Sequence, residues 1–302
     1  LFDSIRSAVV GSINMDIILS AQHLPEVGEN VLGSDYSYAF GGKGANQATA
    51  LARLGAKVKM IGKVADDANG QSLLANLKNN NINVAGVAVN GSQTGLAAIL
   101  LDGQGRNRII VYEGANAEID PTEAEQHIDD SLNLLLVQFE TAEEVVTKCV
   151  NRAVAKNIMT VVDCGPAKPF CLEKMQGITI LSPNESETKA LTGIFPDDEE
   201  KILTASRILK ERSLAQFVVL KLGEKGCSVF DGENLTLLPP YPAKVADTTA
   251  AGDCFTAAMA LEFAKNGDII KACEFGNKAG AFAVSKLGAQ NSMPTLKELL
   301  NM

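Results

Sequence analysis

The sequence predicts an α/β fold, a doubly wound and mostly parallel sheet flanked by helices with a small β-sheet lid, on three observations. Short apolar runs alternate with amphipathic stretches along most of the chain, the rhythm of βαβ units. Several runs are continuously apolar, as strands covered on both faces should be. Two segments, Asp16 to Phe40 and Gln93 to Glu113, break the rhythm with alternating, turn-punctuated patterns and no helix between them.

The expected strands are Ala8 to Ile13, Val58 to Val64, Leu132 to Gln138, Met159 to Asp163, Ile178 to Ser182 and Phe217 to Leu222. Apolar residues at three- and four-residue spacing predict helices over Glu143 to Lys156, Glu199 to Arg212, Asp253 to Lys265 and Ile269 to Lys286. The small-residue stretch Ala45 to Leu54 adds another, stopped by Gly55. Cys227 to Phe230 and Asn234 to Leu238 read as an edge hairpin around a four-residue turn. With 302 residues, 46% of them hydrophobic, the chain can bury one large core. We expect one α/β domain over 8–302, with the lid formed by about 16–40 and 93–113. Leu1 to Ser7 has no clear pattern and is expected to be either a disordered start or an appended remnant foreign to the fold.

A formal net charge of −9 offers no basic field to nucleic acid or an anionic membrane, which favours a small-molecule partner. No run approaches the roughly 20 apolar residues of a membrane span, and Leu1 to Ser12 lacks a secretory h-region. The expected location is cytoplasmic. The six cysteines have no CxxC spacing and there are only two histidines, which argues against a zinc site and against Cys/His catalysis. Reduced, buried thiols are expected.

Two glycine-rich segments carry the chemistry. Gly41-Gly42-Lys43-Gly44-Ala45-Asn46-Gln47 fails the P-loop template, because Gly44 stands where Ser or Thr should hold magnesium. It offers instead flexible backbone, a cation and an amide at a helix start, a set suited to a polyol. A tight turn feeding a closely packed helix is the alternative. The second segment runs from Val245 to Phe255 through Asp247-Thr248-Thr249-Ala250-Ala251-Gly252-Asp253, leading into a helix near Gly252. Amides of Ala250, Ala251 and Gly252 would there face an anion, most naturally a transferring γ-phosphoryl group. Asp253, one residue inside, would accept the proton of an attacking hydroxyl, or else merely complement the helix dipole.

Together with Gly11-Ser12-Ile13-Asn14-Met15-Asp16, these motifs, in this order and spacing, resemble the ribokinase-like carbohydrate kinases, also called the PfkB family. The resemblance covers about Val9 to Leu300. It implies ATP-dependent phosphorylation of a sugar hydroxyl, D-ribose at its 5-hydroxyl first, with Asp253 as base. Another acceptor (2-deoxyribose, a ketohexose or adenosine) and a non-catalytic sugar-binding protein on the same fold stay open. It also implies a homodimer formed through the lid. Carried over by position, Asn14, Asp16, Gly42, Lys43, Asn46 and Glu140 would bind the sugar. Asn184, Lys221, Gly223, Gly226, Gly252 and Asn277 would line the ATP site, and Glu187 would organise Mg2+ through water. Without the family, Asn184-Glu185-Ser186-Glu187 reads equally as a helix cap with first-turn acids. A K+ activator would be held by the Asp247 carboxylate, the carbonyls of Thr249, Ala283, Lys286 and Gly288, and the Ser292 hydroxyl, all hard oxygens. The chain departs from the family pattern at Lys221, where Thr is usual, at Asp163-Cys164, which opens what is often Asn-Pro-Ala-Pro, and at Cys254.

Overall fold

In the computed structural model, which describes residues 1–302, β1 (Arg6–Val10) points Val9 into one apolar core and Ala8 and Val10 into another. Two-residue periodicity thus buries both faces, which is why this run shows no polar alternation. At Gly11 the chain leaves the layer to build β2 (Asn14–Ala21) and β3 (Gly33–Gly41), an antiparallel pair. It returns through α1 (Lys43–Arg53), β4 (Lys57–Ala65), α2 (Ala68–Asn79) and β5 (Asn83–Gly91). A second excursion forms β6 (Gly95–Leu101) and β7 (Asn107–Tyr112). Because β6 runs parallel to β2, the two excursions join in a separate four-stranded sheet, β3-β2-β6-β7.

The chain continues with α3 (Pro121–Gln126), β8 (Leu134–Gln138), α4 (Glu143–Ala155), β9 (Met159–Asp163) and β10 (Ile180–Ser182). Next come α5 (Glu185–Thr192), α6 (Glu199–Ser213), β11 (Phe217–Lys221), and the antiparallel hairpin of β12 (Cys227–Phe230) and β13 (Leu235–Leu238). It closes with α7 (Ala251–Asn266), α8 (Ile269–Val284) and α9 (Leu296–Leu300). The main sheet has the order β13-β12-β11-β10-β9-β8-β1-β4-β5, parallel from β11 to β5. Successive strands step outward from β1 in one direction and from β8 in the other. Where that direction reverses, the loops beyond the strand carboxyl ends part and leave a crevice. One core packs α1, α7 and α8 on one face of the sheet, and the other packs α4 and α6 on the opposite face.

Several element ends shift by one or two residues from expectation, and four differences go further. Leu1 to Ser7 is ordered: Phe2 is fully buried with its ring 5.9 Å from that of Phe275, and Ile5 is buried beside β1. Two apolar residues are too few to show a period, yet each fills a slot. The first strand ends at Val10 rather than Ile13, because Gly11 and Gly44 pack backbone to backbone, with a Cβ on Gly44 falling 2.6 Å from Gly11 C. Helix α7 starts at Ala251, so Asp253 is its third residue. Finally, α2 and β5 had no counterpart in the sequence reading. Only Gly70, Leu73 and Leu77 of α2 are buried, and β5 contributes Gly86 and Val87, too little apolar surface to mark a period. No helix is long and apolar enough to cross a membrane. All six cysteines are free, five buried and Cys171 partly so.

Candidate active site

Most of the residues singled out from sequence gather at the carboxyl ends of the parallel strands. Beyond β1, Ser12 Oγ donates to Glu140 Oε2 at 2.5 Å, and the Lys43 N–H donates to the same oxygen at 3.0 Å. Glu140 follows β8, so this one carboxylate ties the switch-point strands to the start of α1. Gly42 caps that helix with φ 85°, and a Cβ there would lie 2.8 Å from both Asn14 N and Ser12 O. Only glycine fits the conformation and the space.

Asn14 Oδ1 accepts from Asn116 Nδ2 at 2.7 Å, and Asn116 Oδ1 accepts from the Ile13 N–H at 2.9 Å. Asn116, buried in the turn after β7, was missed by sequence reasoning; no periodicity or motif marks it. Asp16 sits on β2 with its carboxylate against Gly41, where a Cβ would fall 2.2 Å from Oδ2. Burial, with added repulsion from Glu140, pushes the Asp16 carboxyl up to about 7. A cavity of about 570 Å³ opens between the two sheets here, lined by Ser12, Asn14, Tyr112, Asn116 and Glu140 among others.

Asp253 lies at the floor of the crevice, 4% exposed. Its Oδ2 accepts from Asn46 Nδ2 at 3.0 Å and its Oδ1 from Gln47 Nε2 at 3.1 Å, with Lys43 Nζ 3.7 Å away. Burial raises its pKa despite the Lys43 ammonium and those two donors. Burial also works against the Lys43 ammonium, but Asp253, Asp163, Glu187 and Glu140 outweigh it and hold the lysine charged. Gln47 is locked because its Oε1 accepts from Gln138 Nε2 at 2.6 Å, leaving Nε2 to donate to both Asp253 and Asp163. Lys43, Asn46 and Gln47 stand at i, i+3 and i+4 on α1, the spacing that places three side chains on one helix face.

Ala250 adopts a left-handed conformation, φ 58°, immediately before α7. That geometry turns consecutive N–H groups toward one side. The Ala251 N–H bonds Thr248 O at 3.3 Å, whereas those of Ala250 and Gly252 find no acceptor in the protein. Of the three amides expected to face an anion, two are thus free and one is partly engaged. A Cβ on Gly252 would meet only Lys221, at 3.9 Å, so the space above the helix start is open.

Two of the departures from the family pattern, Lys221 and Asp163, meet in space. Lys221, at the end of β11, places Nζ 2.9 Å from Asp163 Oδ2, at the end of β9, and 4.0 Å from Glu187 Oε2. Asp163 is fully buried and also accepts from Gln47 Nε2, Thr256 Oγ1 at 3.1 Å and the Gly165 N–H at 3.2 Å. Burial would raise its pKa, but Lys221 and Lys43 bring it below the usual range. Asn184 and Glu187 form a complete capping box on α5, so the cap reading is realised: the Glu187 N–H donates to Asn184 Oδ1 and Glu187 Oε2 accepts from the Asn184 N–H. The Glu187 carboxylate still faces the crevice, since a Cβ on Gly165 would lie 2.7 Å from its Oε1 and 2.4 Å from Lys43 Cε.

Gly223 and Gly226 bracket a tight turn after β11, both with positive φ. Asn277 on α8 donates to Pro239 O at 2.9 Å; no contact joins it to the Asp253 cluster. The loop before α7 meets the loop after α8: Asp247 Oδ2 accepts from the Gly288 N–H at 2.9 Å, and its Oδ1 accepts from the Thr249 N–H and hydroxyl. Those donors outweigh burial and keep Asp247 ionised. The buried Ser292 hydroxyl donates to Ala289 O at 2.7 Å, which leaves its lone pairs as acceptors.

A parallel sheet with a crevice at its switch point, a buried aspartate and free amides at a helix start define a phosphotransferase type of site, and the comparisons agree. Residues 4–296 match the pfkB family of carbohydrate kinases, and the chain belongs to that family. It is 37% identical to the ribokinase of Bacillus subtilis (strain 168) over 294 residues, covering 96% of this chain and 97% of that protein. It is 30% identical to the deoxyribokinase of Salmonella typhi, covering 96% of each. Its fold matches the Arabidopsis thaliana ribokinase solved with ribose and ATP, with a TM-score of 0.90, 31% identity and 98% of both chains covered.

Proposed function

We propose that this chain phosphorylates D-ribose at its 5-hydroxyl with ATP, giving D-ribose 5-phosphate and ADP. The observation that carries the reading is that buried Asp253 and the unpaired amides of Ala250 and Gly252 share the first turn of α7. A base and an anion hole side by side suit a hydroxyl attacking a phosphoryl group. Asp253 takes the proton of the sugar's primary hydroxyl, whose oxygen attacks the γ-phosphorus in line while the amides absorb charge on the phosphoryl oxygens.

On the sugar side, Asn14, Asp16, Gly42, Lys43, Asn46 and Glu140 hold the remaining hydroxyls, the second sheet closing over them. On the nucleotide side, Asn184, Lys221, Gly223, Gly226 and Asn277 line the ATP site. Glu187 is an oxygen donor at the crevice and fits a water-mediated partner of Mg2+, which supplies charge neutralisation on the phosphates when bound. Asp247, Thr249, Lys286, Gly288 and Ser292 from the stretches before α7 and after α8, with Ala283 in the last turn of α8, offer only hard oxygens, a set that fits K+. The whole of β7 is exposed, including Ile109, Ile110, Val111 and Tyr112, which supports a homodimer formed through this sheet. The use of ATP supports a cytoplasmic location.

ADP release from ATP and magnesium, with and without potassium, across D-ribose, 2-deoxyribose, fructose and adenosine tests the reading. Ribose-dependent, potassium-stimulated turnover is expected. Preference for another acceptor would move the substrate and keep the chemistry, and silence with every acceptor would contradict both.

A further inference from the structure

We propose that Lys221 is a further catalytic residue of this site: its ammonium takes up charge on the transferring phosphoryl group at the first turn of α7, and Asp163 is the positioning residue that holds it there. The inference rests on the kinase reading above and deepens it.

Strand β11 delivers the lysine to the floor of the crevice, and its stem runs beneath the start of α7. Both Cδ and Nζ lie 3.9 Å from where a Cβ of Gly252 would be, beside an N–H that has no protein acceptor. A helix amino end carries partial positive charge, so an ammonium beside it is electrostatically unfavourable unless an anion completes the group. Asp163 supplies only part of that charge. The ammonium has three protons and one carboxylate at hydrogen-bond distance, with Glu187 at 4.0 Å. Lys43 is in the same position, with its nearest carboxylate oxygen at 3.7 Å. Buried Lys221 and half-buried Lys43 thus both stand at the first turn of α7, beside free amides, each keeping ammonium protons that the neighbouring carboxylates do not engage at hydrogen-bond distance.

The tether is rigid. Asp163 is fully buried and fixed by Gln47, Thr256 and the Gly165 amide, so it cannot follow the lysine outward. The lysine pivots from its Asp163 contact toward a phosphoryl oxygen over a short distance, losing little side-chain freedom when it does. It remains protonated throughout, and no bond to it forms or breaks. Because Gln47 also donates to Asp253, the carboxylate that anchors this cation and the carboxylate that serves as base share one fixed amide.

The test compares wild type with Lys221→Met, Asp163→Asn and the double variant. It reads kcat, the KM for D-ribose, and calorimetric affinities for Mg-ADP and for Mg-AMP-PNP, which carries a γ-phosphoryl group. Lys221→Met should lower kcat about a hundredfold, as loss of one transition-state donor does. It should leave the ribose KM within about threefold and weaken AMP-PNP about tenfold more than ADP. Asp163→Asn should lower kcat about tenfold, and the double variant should be no slower than Lys221→Met, because the pair acts as one unit. If Lys221→Met strands Asp163 and fails to fold, the double variant, which carries neither charge, gives the same nucleotide comparison. Additive losses, or equal weakening of both nucleotides, would overturn the inference. Unchanged kcat in Lys221→Met would overturn it while the kinase reading stands. A wild type that neither turns over ATP nor binds AMP-PNP would overturn both.

Discussion

Asn46 Nδ2 donates to Asp253 Oδ2 at 3.0 Å, joining the start of α1 to the start of α7 across 207 residues of sequence. One amide therefore touches the proposed base from the helix that also carries Lys43 and Gln47. The contact also steadies the ionised form of a carboxylate that burial disfavours. Removing it by Asn46→Ala should raise the Asp253 pKa further, so the acid limb of kcat/KM moves to higher pH. Loss of a hydrogen bond to a charged group should cost about ten- to a hundredfold in kcat/KM at neutral pH. A kcat/KM profile from pH 5 to 9 checks both, and an unshifted limb would separate Asn46 from the base.

Asp16 should make sugar binding depend on pH. Its carboxyl is raised to about 7 by burial and by Glu140, so it ionises in the neutral range and only then accepts freely from sugar hydroxyls. The sugar KM should rise as pH falls from about 8 to 6, and Asp16→Asn should flatten that dependence. Glu140→Gln removes the repulsion and should shift the transition to lower pH. The sign for stability is opposite. A raised acid favours the folded state while protonated, so this group's contribution to the ligand-free protein is lost as pH rises toward 7. Thermal shifts on adding ribose should therefore grow with pH across that window.

Gly252→Ala should separate folding from catalysis. The new methyl meets nothing closer than Lys221 at 3.9 Å, and alanine is favoured over glycine within a helix by roughly 0.5–1 kcal/mol. The melting temperature should hold or rise slightly. The methyl would nevertheless stand in the space above the free amides, and kcat should fall about tenfold or more. Turnover and calorimetry on the same preparation decide this.

Much of this arrangement was legible in the sequence, for identifiable reasons. Met159 to Asp163 was bounded correctly because a fully buried strand leaves an uninterrupted apolar run. The two irregular segments became the separate sheet because alternation and turns survive even where burial is shallow. The motif at Gly41 showed Lys43 and Asn46, and the same helix spacing could have assigned Gln47, whose role is to bridge two carboxylates. Helix α2 and strand β5 were hidden because each buries few side chains. Asn116 and the Asp163 to Lys221 pair were hidden for another reason: their partners lie far away in sequence, and no local pattern encodes a contact made by tertiary packing.

The central claim is that Asp253 is the base, and turnover of Asp253→Asn against wild type with ATP, magnesium and D-ribose tests it most directly. The substitution keeps size and shape, but its NH2 must face the Asn46 or Gln47 donor and Lys43 loses a countercharge, so the variant should fold with a somewhat lowered melting temperature. Its kcat should fall about a hundredfold to ten-thousandfold, the range typical of a lost general base. A folded Asp253→Asn protein that phosphorylates ribose at near wild-type rate would contradict the account.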